Sequence, residues 1–240
     1  MQKIKKLKIL SQPNDLTCGP TCLHAIYHFY QDKIDLESVI QEVEYLNTGG
    51  TLAVLLGIHA LKRGYQVTIN VLDLQIFDPT WFFNTPENKN NFLIKKLEAQ
   101  ILCKEKLKIK QASEAYIQFL KLGGEIISED LSSRFLKTAL EDYGPILTGL
   151  SATYLYRSAR EIPGNCEESC YDDIRGEPMG HFVVISGYQP NSKTVLLADP
   201  YSKNPKAQHY YQVKIARLIN AILIGELTYD ANLLFIRPKD

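Results

Sequence analysis

The sequence lacks a charge of prevailing sign. Its 27 Lys and Arg balance its 27 Asp and Glu, for a formal net charge of zero. That balance gives no electrostatic reason to expect nucleic acid or an anionic membrane as partner. Long hydrophobic runs are absent too: no stretch approaches the ~18 apolar residues that a membrane span needs. The N-terminal MQKIKKLKILSQPN has the lysines of a signal peptide's n-region, but Lys3, Lys5, Lys6 and Lys8 interrupt any apolar h-region. A cytoplasmic location is the resulting expectation. Cysteine is scarce and odd in number, five in 240 residues, which does not make a disulfide framework. In a reducing compartment such residues are buried hydrophobes, metal ligands or nucleophiles.

What is present suits one large domain over residues 1–240, since 45% of the chain is hydrophobic. Apolar spacing predicts helices over 18–31, 36–46 and 52–64, then an alternating strand over 65–71. Thr17 is the expected cap of the first helix, with Pro20 tolerated in its first turn. Lysine-rich helical patterns follow at 92–107 and 112–122, and another helix at 132–144. Strands are expected at 145–152, 181–188, 194–199, 209–215 and 233–238, with a late helix over 214–225. Helices first and an antiparallel sheet later indicate the α+β class. The polar loop 157–178, about 22 residues long, is of a length that is usually functional or disordered.

Two cysteine pairs share one spacing, Cys18 with Cys22 and Cys166 with Cys170. A four-cysteine zinc site is one reading. Another makes Cys18 a nucleophile in the first turn of a helix, where unpaired amides and the helix dipole favour a thiolate. On that reading Cys22, one turn on, packs into the core, and Cys166 and Cys170 form a local disulfide or are exposed thiols. A nucleophilic thiolate needs a base, an orienter for that base and oxyanion donors. His181 opens a strand after Gly180, Asp199 closes the next strand, and Gln12 precedes Cys18 by six residues. Gly19 leaves the sulfur open to approach by a substrate or a neighbouring chain.

The pattern Gln-x5-Cys-Gly-Pro at a helix N-terminus, Gly-His-Phe-Val-Val on a strand and Ala-Asp-Pro at the end of the next resembles the papain-like cysteine peptidases. More narrowly, it is similar to the C-thirty-nine-like peptidases, relatives of the domain that trims double-glycine leaders from bacteriocin precursors. The resemblance covers residues 8–72 and 132–200. It implies a papain-like fold, with N-terminal helices packed on an antiparallel sheet. It also implies an oxyanion-hole Gln12, a nucleophilic Cys18, a histidine at His181 and an aspartate at Asp199. The implied activity is hydrolysis of a peptide or small amide through a thioester, with no cofactor. Acyl transfer to an amine or thiol, or a non-catalytic peptide-binding module, are the alternatives. Residues 73–131 exceed the minimal domain and read as a helical insertion that shapes the substrate groove. The 157–178 loop enters directly before His181, which makes Asp172, Asp173 and Arg175, with Gly19 and Gly180, the candidate substrate contacts. His24, His28 and His59 read as ordinary helix histidines, and His209 carries no motif.

Overall fold

In the computed structural model, which describes residues 7–46, 50–83, 86–162, 170–225 and 231–239, the periodic segments fold largely where their spacing places them. Helices α1 (Cys18–Phe29), α2 (Leu36–Glu42) and α3 (Ala53–Lys62) precede strand β1 (Tyr65–Val71). Helix α2 stops earlier than expected, because Val43 turns to an extended conformation. A short 3-10 turn (Pro79–Phe82) leads to α4 (Lys89–Cys103) and α5 (Leu107–Lys121). The side chain of Asn88 starts α4 by accepting the amide of Asn91. Then come β2 (Glu125–Ile127), α6 (Ser133–Tyr143), β3 (Ile146–Ser151) and α7 (Ala152–Tyr156). The remainder is β4 (Gly180–Gln189), β5 (Thr194–Ala198), β6 (Tyr210–Lys214), α8 (Ile215–Ile224) and β7 (Asn232–Pro238).

The class is α+β. The strands form one sheet in the order β2-β1-β7-β3-β4-β5-β6. All neighbours are antiparallel except β1 and β2, which run parallel. A parallel neighbour needs a long crossover, and α4 and α5 supply it. Neither β2 nor α7 was legible from apolar spacing, each being too short to show a period.

Two apolar clusters lie on opposite faces of the sheet. One joins α1–α5 to residues such as Phe182, Val184 and Leu234. The other joins α6–α8 to Val183, Ile185 and Leu233. Helices α4 and α5, which lie within residues 73–131, are built into the first cluster, where Leu93, Leu97 and Phe119 are wholly buried. No helix among the described residues is long and apolar enough to cross a membrane.

Candidate active site

Helix α1 begins at Cys18, but Thr17 does not cap it with its side chain. The Thr17 hydroxyl instead donates to the Asn14 carbonyl at 2.9 Å and accepts the Asn14 amide at 3.2 Å. It closes the turn that delivers the chain to the helix. The first-turn amides are thus not consumed by a side-chain cap, and they lie beside the half-exposed Cys18 thiol.

Gly19 has a different task from the one expected. It is buried, and a Cβ there would stand 2.8 Å from Thr51 Cγ2 and 3.2 Å from Phe182 Cδ2. The missing side chain lets α1 settle against α3 and β4 instead of opening a path to the sulfur. Cys22 is sealed in the same seam. Its Sγ donates to the Phe182 carbonyl at 3.3 Å, and burial, then the neighbouring Cys18 and Asp199, push its thiol up. Cys170 is disulfide-bonded, and Cys166 lies outside the described residues.

The seam brings α1 to the start of β4, and register does the rest. Val184 pairs with Ala198. His181 is three residues from Val184 and Asp199 is one from Ala198, so both point to the face opposite that pair. His181 Nε2 lies 2.9 Å from Asp199 Oδ1. That bond leaves Nδ1 for the Cys18 thiol, which is within hydrogen-bonding reach. Both His181 and Asp199 are buried. Burial opposes the imidazolium, but the Asp199 charge and the bonds to Asp199 and Cys18 outweigh it and push His181 up to about 10. Burial likewise opposes the Asp199 carboxylate, yet His181, the Tyr211 hydroxyl and the Tyr201 amide hold it below the usual range.

Asp199 has partners that the sequence did not reveal. Its Oδ1 also accepts the Tyr201 amide at 2.9 Å. Its Oδ2 accepts the hydroxyls of Tyr211 at 2.6 Å and Tyr156 at 2.8 Å. His209, which carried no motif, joins the site through its ring. Nδ1 lies 2.7 Å from the Asp199 carbonyl, so it carries the proton, and Nε2 is 3.1 Å from the Ser11 hydroxyl. Gln12 is pinned to the same corner, its amide donating to the Pro200 carbonyl at 2.9 Å. The Gln12 side-chain nitrogen donates to the Asn14 carbonyl at 3.1 Å, which uses one of its two hydrogens. Tyrosines and a histidine on separate elements have no local spacing that distinguishes them from core residues.

A cleft of about 570 Å³ opens beside these groups, lined among others by Gln12, Tyr156, Gly180, His181 and Tyr201. The 157–178 loop does reach it, through Ser158, Ala159, Glu161 and Tyr171. The expected loop contacts are not in its lining. Asp172 and Arg175 are spent on each other, with Arg175 Nε 2.8 Å from Asp172 Oδ2, and the Asp173 carbonyl accepts from Arg160. Thr51 touches the Gly19 position and donates to the Glu44 carbonyl at 2.9 Å, and the adjoining Tyr45 is close enough to Cys18 to be raised by it, after burial. Glu44, Tyr45 and Leu46 face Gln111, Glu114 and Gln118 of α5 across a groove of about 630 Å³.

Comparison with known proteins gives the chain's family. The family model described as Peptidase_C39 like family matches residues 4–221. Among solved structures, the chain is similar to the crystal structure of the peptidase domain of Streptococcus ComA, a bi-functional ABC transporter involved in a quorum-sensing pathway. The identity is 12% and the TM-score 0.43, over 98% of this chain and 100% of that one. No curated protein matches the chain. The family match spans most of the sequence and includes Gln12, Cys18, His181 and Asp199, and by it the chain belongs to the Peptidase_C39 like family.

Proposed function

We propose that the protein is a papain-like cysteine peptidase or amidase that works through Cys18, His181 and Asp199. The family supports a cysteine peptidase in general. One observation carries the finer reading: His181 is held by Asp199 at 2.9 Å, with the thiol at the start of α1 close enough to act on its charge. His181 takes the Cys18 proton, and the thiolate attacks the amide carbonyl. The second Gln12 side-chain hydrogen and the Cys18 amide receive the oxyanion. The tetrahedral intermediate collapses, the C–N bond breaks, and His181 protonates the departing amine. Water, deprotonated by His181, then attacks the thioester and releases the acid and the thiolate.

The cleft lined by His181 takes the departing amine, because its proton donor stands there. Asp15 and Glu161 line that cleft, and no Lys or Arg does among the described residues. A neutral or cationic amine product suits it better than an anionic one. The acyl part lies on the opposite flank, toward Tyr45 and α5. If acyl transfer replaces hydrolysis, the acceptor amine enters the same cleft that the departing amine leaves. Incubation of a peptide library with the protein, with and without added amines, tests both forms by mass spectrometry. A covalent thioester on Cys18, lost in Cys18→Ala, is the expected result. Cleavage that survives in Cys18→Ala overturns the reading.

A further inference from the structure

An aspartate that only orients an imidazole needs one oxygen for the task. Asp199 uses Oδ1 for His181, and Oδ2 is separately bound by two tyrosine hydroxyls, at 2.6 Å from Tyr211 and 2.8 Å from Tyr156. The two phenols come from separate elements, β6 and α7, so neither is a by-product of one local turn. A buried carboxylate with an open oxygen can rotate, and it can relieve its desolvation by taking a proton. Either event unbinds His181. Two short bonds from neutral donors prevent both, since a phenol gives a hydrogen bond without bringing a charge that would compete with the imidazolium.

We propose that Tyr156 and Tyr211 are positioning residues that keep Asp199 ionised and in one orientation, and through it keep Cys18 and His181 as a thiolate–imidazolium pair. This inference rests on the Cys18–His181–Asp199 reading. The groups that face Asp199 are His181 from β4, Tyr211 from β6, Tyr156 from α7, and Cys18 and Cys22 from α1. Tyr201 and His209 reach it through the backbone bonds already described. In that ring of groups the tyrosines are the donors to Oδ2. Losing one leaves Asp199 easier to protonate, so the pair fails at a higher pH on the acid side.

The test needs no substrate. The full-length chain is alkylated with iodoacetamide across pH, and modification of Cys18 is resolved by peptide mapping, with the exposed Cys103 as internal reference. The proteins compared are wild type, Tyr156→Phe, Tyr211→Phe, the double variant and His181→Ala. The Cys18 midpoint is expected to rise by about half a unit or more in each single variant, which is roughly threefold less thiolate below the midpoint. The double variant rises further, and Cys103 does not change. Midpoints that coincide with wild type in folded variants overturn the inference. Should the double variant not fold, Tyr156→Phe decides, because that ring is only partly buried and lies at the cleft edge. A wild-type Cys18 that titrates like a free thiol and ignores His181→Ala sinks the underlying reading, and this inference with it.

Discussion

Asp199 and Asp172 look alike as hydrogen-bonding residues and differ in everything that follows from it. Each carboxylate accepts several bonds, and each is held below its ordinary range. For Asp172 the bonds come from the Arg175 and Ile174 amides and the Arg175 guanidinium, all within three residues. For Asp199 they come from β4, β6 and α7 as well as from Tyr201. Asp172 closes a turn whose partners are all local, and its Arg175 partner is exposed. Asp199 is buried, and nothing there can replace a lost donor. The same residue type, accepting several bonds in each place, is local punctuation in one region and the junction of the fold in the other. Accepting several bonds does not separate the two carboxylates; burial and the sequence distance of the partners do.

Asp199→Ala tests that contrast most severely. It leaves a buried imidazole without its counter-ion and the two tyrosines without an acceptor. Turnover should fall on the order of 10³-fold or more, and unfolding in urea should show a loss of about 3–5 kcal/mol. A near-native melt with near-native turnover would erase the distinction drawn between the two carboxylates. Gln12→Ala comes next. On the proposed mechanism it removes an oxyanion donor and leaves the Cys18–His181 pair intact, so kcat should fall about 10²–10³-fold while Cys18 alkylation stays as in wild type. Slower alkylation would show that Gln12 belongs to the Asp199 corner as a structural member.

The pH profile gives a third test. His181 is raised to about 10, above its unfolded value near 6.5. Its contribution to stability is therefore complete below about pH 6.5 and is lost as pH rises through about 10. Asp199 is depressed, so its contribution stands above the ordinary carboxylate value and is lost as pH falls through its folded one. Activity should hold across neutral pH and decline on the alkaline side. An alkaline limb near pH 6.5 would mean that the ion pair does not form. Gly19→Ala is expected to cost about 1–3 kcal/mol in denaturant unfolding, because its Cβ collides with Thr51 and Phe182 and pushes α1 off β4. The smallest effect belongs to Asp172→Asn, which should change turnover by less than about twofold, as befits an exposed ion pair. A large loss there would return the loop turn to the substrate site.

The elements of the fold were legible wherever a period ran for several residues, as in β1 at Tyr65–Val71 and α6 at Ser133–Tyr143. Short elements were not: β2 spans three residues and α7 five, too few for a period to show. Gly19 illustrates a different limit. Its freedom from a side chain was visible, but whether substrate or the chain's own α3 and β4 used that space depended on packing.

The sequence by itself determined the order of helices and strands, the absence of a prevailing charge, and the placement of Gln12, Cys18, His181 and Asp199 in ordered motifs. These are properties of neighbouring residues, carried by spacing and by side-chain type. Only the tertiary structure decided that His181 and Asp199 share a face, since a register slip of one residue would part them. It alone gave Asp199 its tyrosines and linked His209 to the Gln12 segment. Those contacts join residues far apart in the chain, and no local pattern encodes them, because long-range pairing is selected by the burial of the whole sheet.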